Sequence, residues 1–158
     1  MNRVEIIDQD TVIYFSGKVN EDSDFSELPK SSEGKLIFDL EEVTLLNSAG
    51  LRLWILWMRS LDASIKIVFQ RCPRIVVDQM NILNGFVPPN SEVISFYVPY
   101  YCEECDNEDE NLIENGKDFQ QGEEINKNSE GLIRKCAKCN EEMDMDVIPE
   151  KYFRFLTK

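Results

Sequence analysis

Short apolar runs and one long apolar stripe alternate with polar stretches up to residue 98, and the rhythm then changes. Arg3–Asp8 and Thr11–Ser16 are β-rich runs on either side of Asp8-Gln9-Asp10, which predicts a hairpin. Gly17 is expected to break the second strand. Residues 21–34 are polar, with Phe25 and Leu28 at helical spacing, and predict one short helix from Ser23 or Asp24 until Pro29. Leu36–Leu40 is a continuous apolar run, as expected of a strand covered on both faces. Asn47, Ser48, Ala49 and Gly50 then open a helix expected from about Ala49 to Leu61. Either Asn47 or Ser48 can cap it, since each side chain can accept from a free N–H of the first turn. Ser64–Phe69 predicts another strand. Pro73 opens a second helix with Val76, Met80 and Leu83 on one face, closed by Asn84-Gly85. Val93–Val98 predicts a last strand. The order is β-β-(α)-β-α-β-α-β.

The first long helix is unusually apolar. Leu51, Trp54, Ile55, Met58 and Leu61 share the face expected to pack on the sheet. Leu53, Leu56 and Trp57 do not fit on it, and Arg52, Arg59 and Ser60 are the polar positions. Two readings stand side by side. Leu53 and Trp57 dock a partner or a second copy of the chain, or else the terminal module covers them or they are wider core.

The loop before this helix carries a resemblance. Asp39-Leu40-x-x-Val43-Thr44-x-Leu46-Asn47-Ser48-Ala49-Gly50-Leu51, followed by an apolar helix, resembles the core signature of STAS domains, the family of bacterial anti-sigma factor antagonists. The family wording is close to D-L-S-x-V-x-F-x-D-S-S/T-G-L. Asn47 stands where the family commonly has Asp, and Ala49 where Ser or Thr is common. The element order over residues 1–98 matches the family as well. The resemblance implies an α/β fold, a mixed β-sheet with helices packed on one side. It makes Ser48 the hydroxyl that a partner serine kinase, doubling as an anti-sigma factor, would phosphorylate. It also implies a partner-binding surface made by the loop and helix, with Asn47, Ala49, Gly50, Arg52, Leu53 and Trp57. Asn20, at the end of the Gly17-Lys18-Val19-Asn20 turn, falls where the family has an Asp near that loop. It is read either as a polar contact to the partner or as a turn residue. Physical chemistry agrees with a phosphate at Ser48, because the free N–H groups and dipole of a helix start favour an anion.

Composition narrows the function. Histidine is absent from the 158 residues, which removes Ser–His–Asp and Cys–His catalysis and histidine metal ligands together. Nothing pairs a nucleophile with a base, and no Gly-rich phosphate loop is present, so no enzyme activity is expected. The net charge of −13 is repelled by nucleic acid and by anionic membranes. No run approaches the roughly 20 apolar residues of a membrane helix, and the N-terminus is too polar for a signal peptide. A soluble, cytoplasmic protein is expected.

From Pro99 the composition shifts, which places a second, zinc-ribbon-like module at 99–158 after a first domain at 1–98. Cys102-x-x-Cys105 and Cys136-x-x-Cys139 are paired knuckles separated by residues 106–135. Each can put two thiolates on one ion, and together they complete a tetrahedral four-sulfur Zn²⁺ site with no open position, hence a structural one. A redox C-x-x-C would sit alone at a helix start, and disulfides do not suit a reducing compartment. The acidic residues 106–115 are expected at the tip of a long hairpin. Met143, Met145 and Val147 alternate as in a strand. Pro149 opens a short aromatic helix that caps the ribbon or docks on the first domain. Cys72 is read as a buried thiol and not a ligand.

The resulting expectation is a non-enzymatic regulatory interaction module switched at Ser48. The alternative is a non-phosphorylated scaffold or oligomerisation protein in which Ser48 only caps the helix, and the apolar helix and zinc module mediate assembly.

Overall fold

The computed structural model describes residues 2–125 and 128–157. β1 (Arg3–Ile7) and β2 (Asp10–Val19) form the expected antiparallel hairpin, with Ile7 opposite Asp10 and Asp8 at φ 56° in the turn. Gly17 does not end the strand. β2 continues to Val19 and absorbs Gly17, at φ +77°, through register shifts that bend the ladder.

β3 (Leu36–Leu46) outruns the predicted Leu36–Leu40 and pairs parallel with β2. α1 (Ser48–Ser60) leads to β4 (Ile67–Gln70), and α2 (Arg74–Ile82) leads to β5 (Ser91–Val93). β4 and β5 extend the sheet in parallel, giving a five-stranded mixed sheet in the order β1-β2-β3-β4-β5. The run read as one strand from Val93 to Val98 divides at Ile94. β5 closes the first sheet, and β6 (Ser95–Tyr101) becomes the centre of a second. There it is flanked by β7 (Glu108–Glu114) and β8 (Asp144–Met145), both antiparallel to it. The acidic stretch is therefore an edge strand, not a hairpin tip. α3 (Pro149–Tyr152) and a 3-10 turn over Phe153–Thr157 follow.

Register decides what each face holds. Ile13, Phe38 and Phe69 are successive partners and share one face. Trp54 of α1 lies on that face, 5.2 Å from the Phe15 ring and 5.9 Å from Phe38, and stacks on Phe86 at 5.2 Å. Its indole N–H donates to the Phe86 carbonyl at 3.2 Å. Tyr14, Asp39 and Gln70 are also successive partners and point to the other face.

The predicted helix at 23–29 does not form. Asp24 accepts from the Ser26 N–H and Leu28 N–H returns to Phe25 O, so local turns take the backbone bonds a helix would need. The segment still delivers Phe25 to the core, stacked on Trp57 at 5.5 Å. This corrects the predicted helix face. The buried line of α1 is Gly50, Trp54, Trp57 and Met58, running on to Leu61, while Leu51 and Ile55 are only half-buried. Trp57 is 6% exposed and belongs to the core, so it is not a surface docking residue.

The two sheets share one hydrophobic cluster. Phe96 of β6 packs against Phe119, Tyr152, Phe153 and Phe155, with the last at 5.0 Å. Cys72 bridges to Phe96, and Asn81 of α2 donates to the Tyr152 carbonyl at 2.9 Å. The terminal aromatic segment thus seals β6 against α2. Among the described residues no helix is long and apolar enough to cross a membrane.

Candidate functional site

The loop joining β3 to α1 is built around Asn47. Its Oδ1 accepts from the Gly50 N–H at 2.8 Å, its Nδ2 donates to Glu21 at 2.8 Å, and its own N–H donates to the Val19 carbonyl at 3.1 Å. Asn47 is therefore the N-cap, and Ser48 is the first helical residue. Ser48 is exposed, and among the described residues its hydroxyl has no hydrogen-bond partner. Gly50 is buried beneath the end of β2, where an added Cβ would stand 2.1 Å from the Val19 carbonyl oxygen. The Asn47 amide holds the Glu21 carboxyl below its usual range.

Glu21, Ser48, Ala49, Arg52 and Leu53 line one open surface depression. The structure thus groups five neighbouring positions and removes Trp57 and Gly50, which lie beneath. Asn20 accepts from the Asp22 N–H at 3.0 Å, and its carbonyl accepts from Ser23 N–H. Those bonds make it a turn residue, and it does not line the depression. Glu21 carried no signal in the sequence, because its bond to Asn47 spans an irregular segment.

The second site is the four-cysteine centre. The sulfur atoms of Cys102, Cys105, Cys136 and Cys139 all lie within 4.8 Å of one another. Cys102 and Cys139 are 3.5 Å apart, as are Cys105 and Cys136. A tetrahedral four-sulfur zinc, with bonds of about 2.3 Å, would set its ligands roughly 3.8 Å apart, so the cluster fits such an ion.

The two knuckles have the same construction. Asp106 N–H returns to Cys102 O at 2.9 Å, and Asn140 N–H to Cys136 O at 2.9 Å. Cys102 N–H donates to Asn107 O, and Cys136 N–H to Glu141 O. Asp106 and Asn140, at matching positions, both take positive φ, 58° and 65°. Asx residues tolerate that conformation better than most.

Backbone donors point at the sulfurs. The Cys139 N–H, helped by that of Lys138, holds the Cys136 thiol down against the opposing effect of burial. At Cys105 and Cys139 backbone N–H groups also pull down, but hydrogen bonds among the sulfurs, with burial, outweigh them and push those thiols up. N–H groups around sulfur favour thiolate, the form that binds metal. Four sulfurs from four protein positions can hold a metal ion such as zinc. Cys72 is fully buried and apart from this cluster, and burial pushes its thiol far up.

A polar network absent from the sequence reading joins the sheets. Arg71 donates from Nε to the buried Asp39 at 2.6 Å and from Nη1 to Glu41, and the Tyr97 hydroxyl of β6 donates to Glu41. Gln70 donates to Asp39 at 2.8 Å. These residues come from β3, β6 and the end of β4, and their spacing along the chain gave no periodic signal.

The chain matches no protein-family model and no curated protein.

Proposed function

We propose that the chain is a non-enzymatic regulatory interaction module of the STAS type, resembling an anti-sigma factor antagonist, and switched by phosphorylation of Ser48. The observation that carries this reading is the division of labour at the start of α1. Asn47 supplies the cap, so the Ser48 hydroxyl is exposed and, among the described residues, unengaged, and a role as helix cap no longer accounts for it. The succession of β1 to β5 with α1 and α2 also supports it, because it matches the element order the family resemblance implies except for the helix between β2 and β3, which does not form.

The unphosphorylated surface of Glu21, Ser48, Ala49, Arg52 and Leu53 binds a protein partner, by resemblance a serine kinase that doubles as an anti-sigma factor. Phosphate adds about −1.5 to −2 charges beside Glu21 and desolvates poorly in an interface, so the partner is released. Within the chain the phosphate is tolerated, because it sits at a helix N-terminus.

The four cysteines hold a structural Zn²⁺ in this reading. All four ligand positions are filled by protein, which leaves the ion no place for substrate. Its part is to fix β6, β7 and the knuckles against the first sheet.

The test is partner capture from the source cells with wild type, Ser48→Ala and Ser48→Asp. The wild type and Ser48→Ala should retain the same partner, and Ser48→Asp should lose it. Equal capture by all three removes the switch.

A further inference from the structure

We infer that β1 is a dimerisation strand, pairing antiparallel with β1 of a second copy about a two-fold axis at Val4, so that Arg3 faces the partner's Glu5 on each side of the axis.

Among the described residues, the strands at sheet edges are β1, β5, β7 and β8. Natural sheets guard such edges by shortness or charge. β5 has three residues and β8 has two. β7 carries Glu108, Asp109, Glu110 and Glu114. β1 is longer than β5 and β8, and its two charges, Arg3 and Glu5, are of opposite sign, so unlike the uniformly acidic β7 it does not repel a second copy. All five of its residues are exposed, including Val4 at 44% and Ile6 at 72%.

The backbone geometry is open for pairing. Thr11 N–H donates to Lys35 O, away from β1, so Ile6 and Thr11 form a pair without mutual hydrogen bonds. By the alternation of an antiparallel ladder, the same holds for Val4 and Ile13. Val4 and Ile6 therefore direct their N–H and C=O groups outward, to the free edge. Two outward residues can meet on a two-fold axis and exchange both bonds.

Charge selects the register. Centring on Arg3 sets Arg3 against its own copy, and centring on Glu5 sets Glu5 against its own copy. Both place like charges directly opposite, which destabilises a pair. Centring on Ile6, the other outward residue, sets Glu5 against the partner's Ile7 and Val4 against the partner's Asp8 and makes no opposite-charge pair. Centring on Val4 instead sets Arg3 against the partner's Glu5 twice, stacks Val4 on the partner's Val4, and continues the sheet across both molecules. The strand is thus complementary to itself, as an interface between identical subunits must be.

Sedimentation of the metal-loaded chain from micromolar to millimolar concentration tests this. A reversible dimer is expected. Arg3→Glu or Glu5→Arg alone should raise its dissociation constant about tenfold or more, since each turns two opposite-charge pairs into like-charge pairs. The double variant Arg3→Glu/Glu5→Arg should restore the dimer. Unchanged melting of each variant at a concentration low enough for all to be monomeric shows that the fold is kept. A monomer at every concentration overturns the proposal, as does a dimer indifferent to the single changes or one the double variant fails to restore.

Discussion

Gly50 lies directly beneath the carbonyl of Val19, so close that a Cβ would come within 2.1 Å of the oxygen. The end of β2 and the first turn of α1 are thereby pressed together, and this contact places Ser48 at the surface. Gly50→Ala should force that contact apart. Helix propensity favours alanine by about 1 kcal/mol, but a backbone clash of this kind outweighs it, leaving a net loss of about 2 kcal/mol. Thermal melting should fall by about 4–8 °C.

Asn47→Ala should remove the cap and cost about 1 kcal/mol. The same change should release Glu21, whose carboxyl is held low first by the Asn47 amide. A carboxyl held low stabilises the fold above its unfolded pKa, and that contribution is lost as pH falls through the folded value. Carbon-detected titration of Glu21 should therefore move upward in Asn47→Ala. An unchanged Glu21 titration would contradict the bond.

How far the sequence was legible depended on locality. The hairpin, the strand and helix after Leu36, Pro73 as a helix start and the paired cysteine knuckles were all written in neighbouring residues. What failed was decided at a distance. Phe25 reaches the core from a segment without a helix and covers Trp57, which turns the buried face of α1 away from the simple stripe. Ile94 divides the run from Val93 to Val98 because β4 ends at Gln70 while β6 continues beside Arg71 and Cys72. The Asp39–Arg71–Glu41–Tyr97 network joins residues far apart in the chain, and no local pattern announces it.

Elemental analysis of the purified chain should find one zinc per molecule. Cys105→Ser or Cys139→Ser should abolish it, and Cys72→Ser should not. Because β6 shares its core with α2, chelation should lower the melting temperature of the whole chain, by more than about 10 °C, and not only loosen the C-terminal residues. A melt unchanged on metal removal would contradict this coupling.

Alkaline pH should unfold the protein cooperatively. Burial pushes Tyr100 up to about 12, and burial followed by the Glu41 bond does the same for Tyr97. Burial raises Tyr152 further. A raised folded pKa gives stability that is full below the unfolded value, near 10, and lost as pH rises through the folded one. Tyrosinate absorbance should therefore lag behind free tyrosine and then rise together with loss of helix signal. Smooth titration of every tyrosine near pH 10 without unfolding would contradict the burial.

The most direct test of the switch is intact mass with phosphosite mapping on protein taken from its own cells during growth, starvation and stress. The proposed function predicts a fraction of molecules one phosphate heavier, with the phosphate on Ser48. Protein that carries no phosphate on Ser48 under any of these conditions would contradict it.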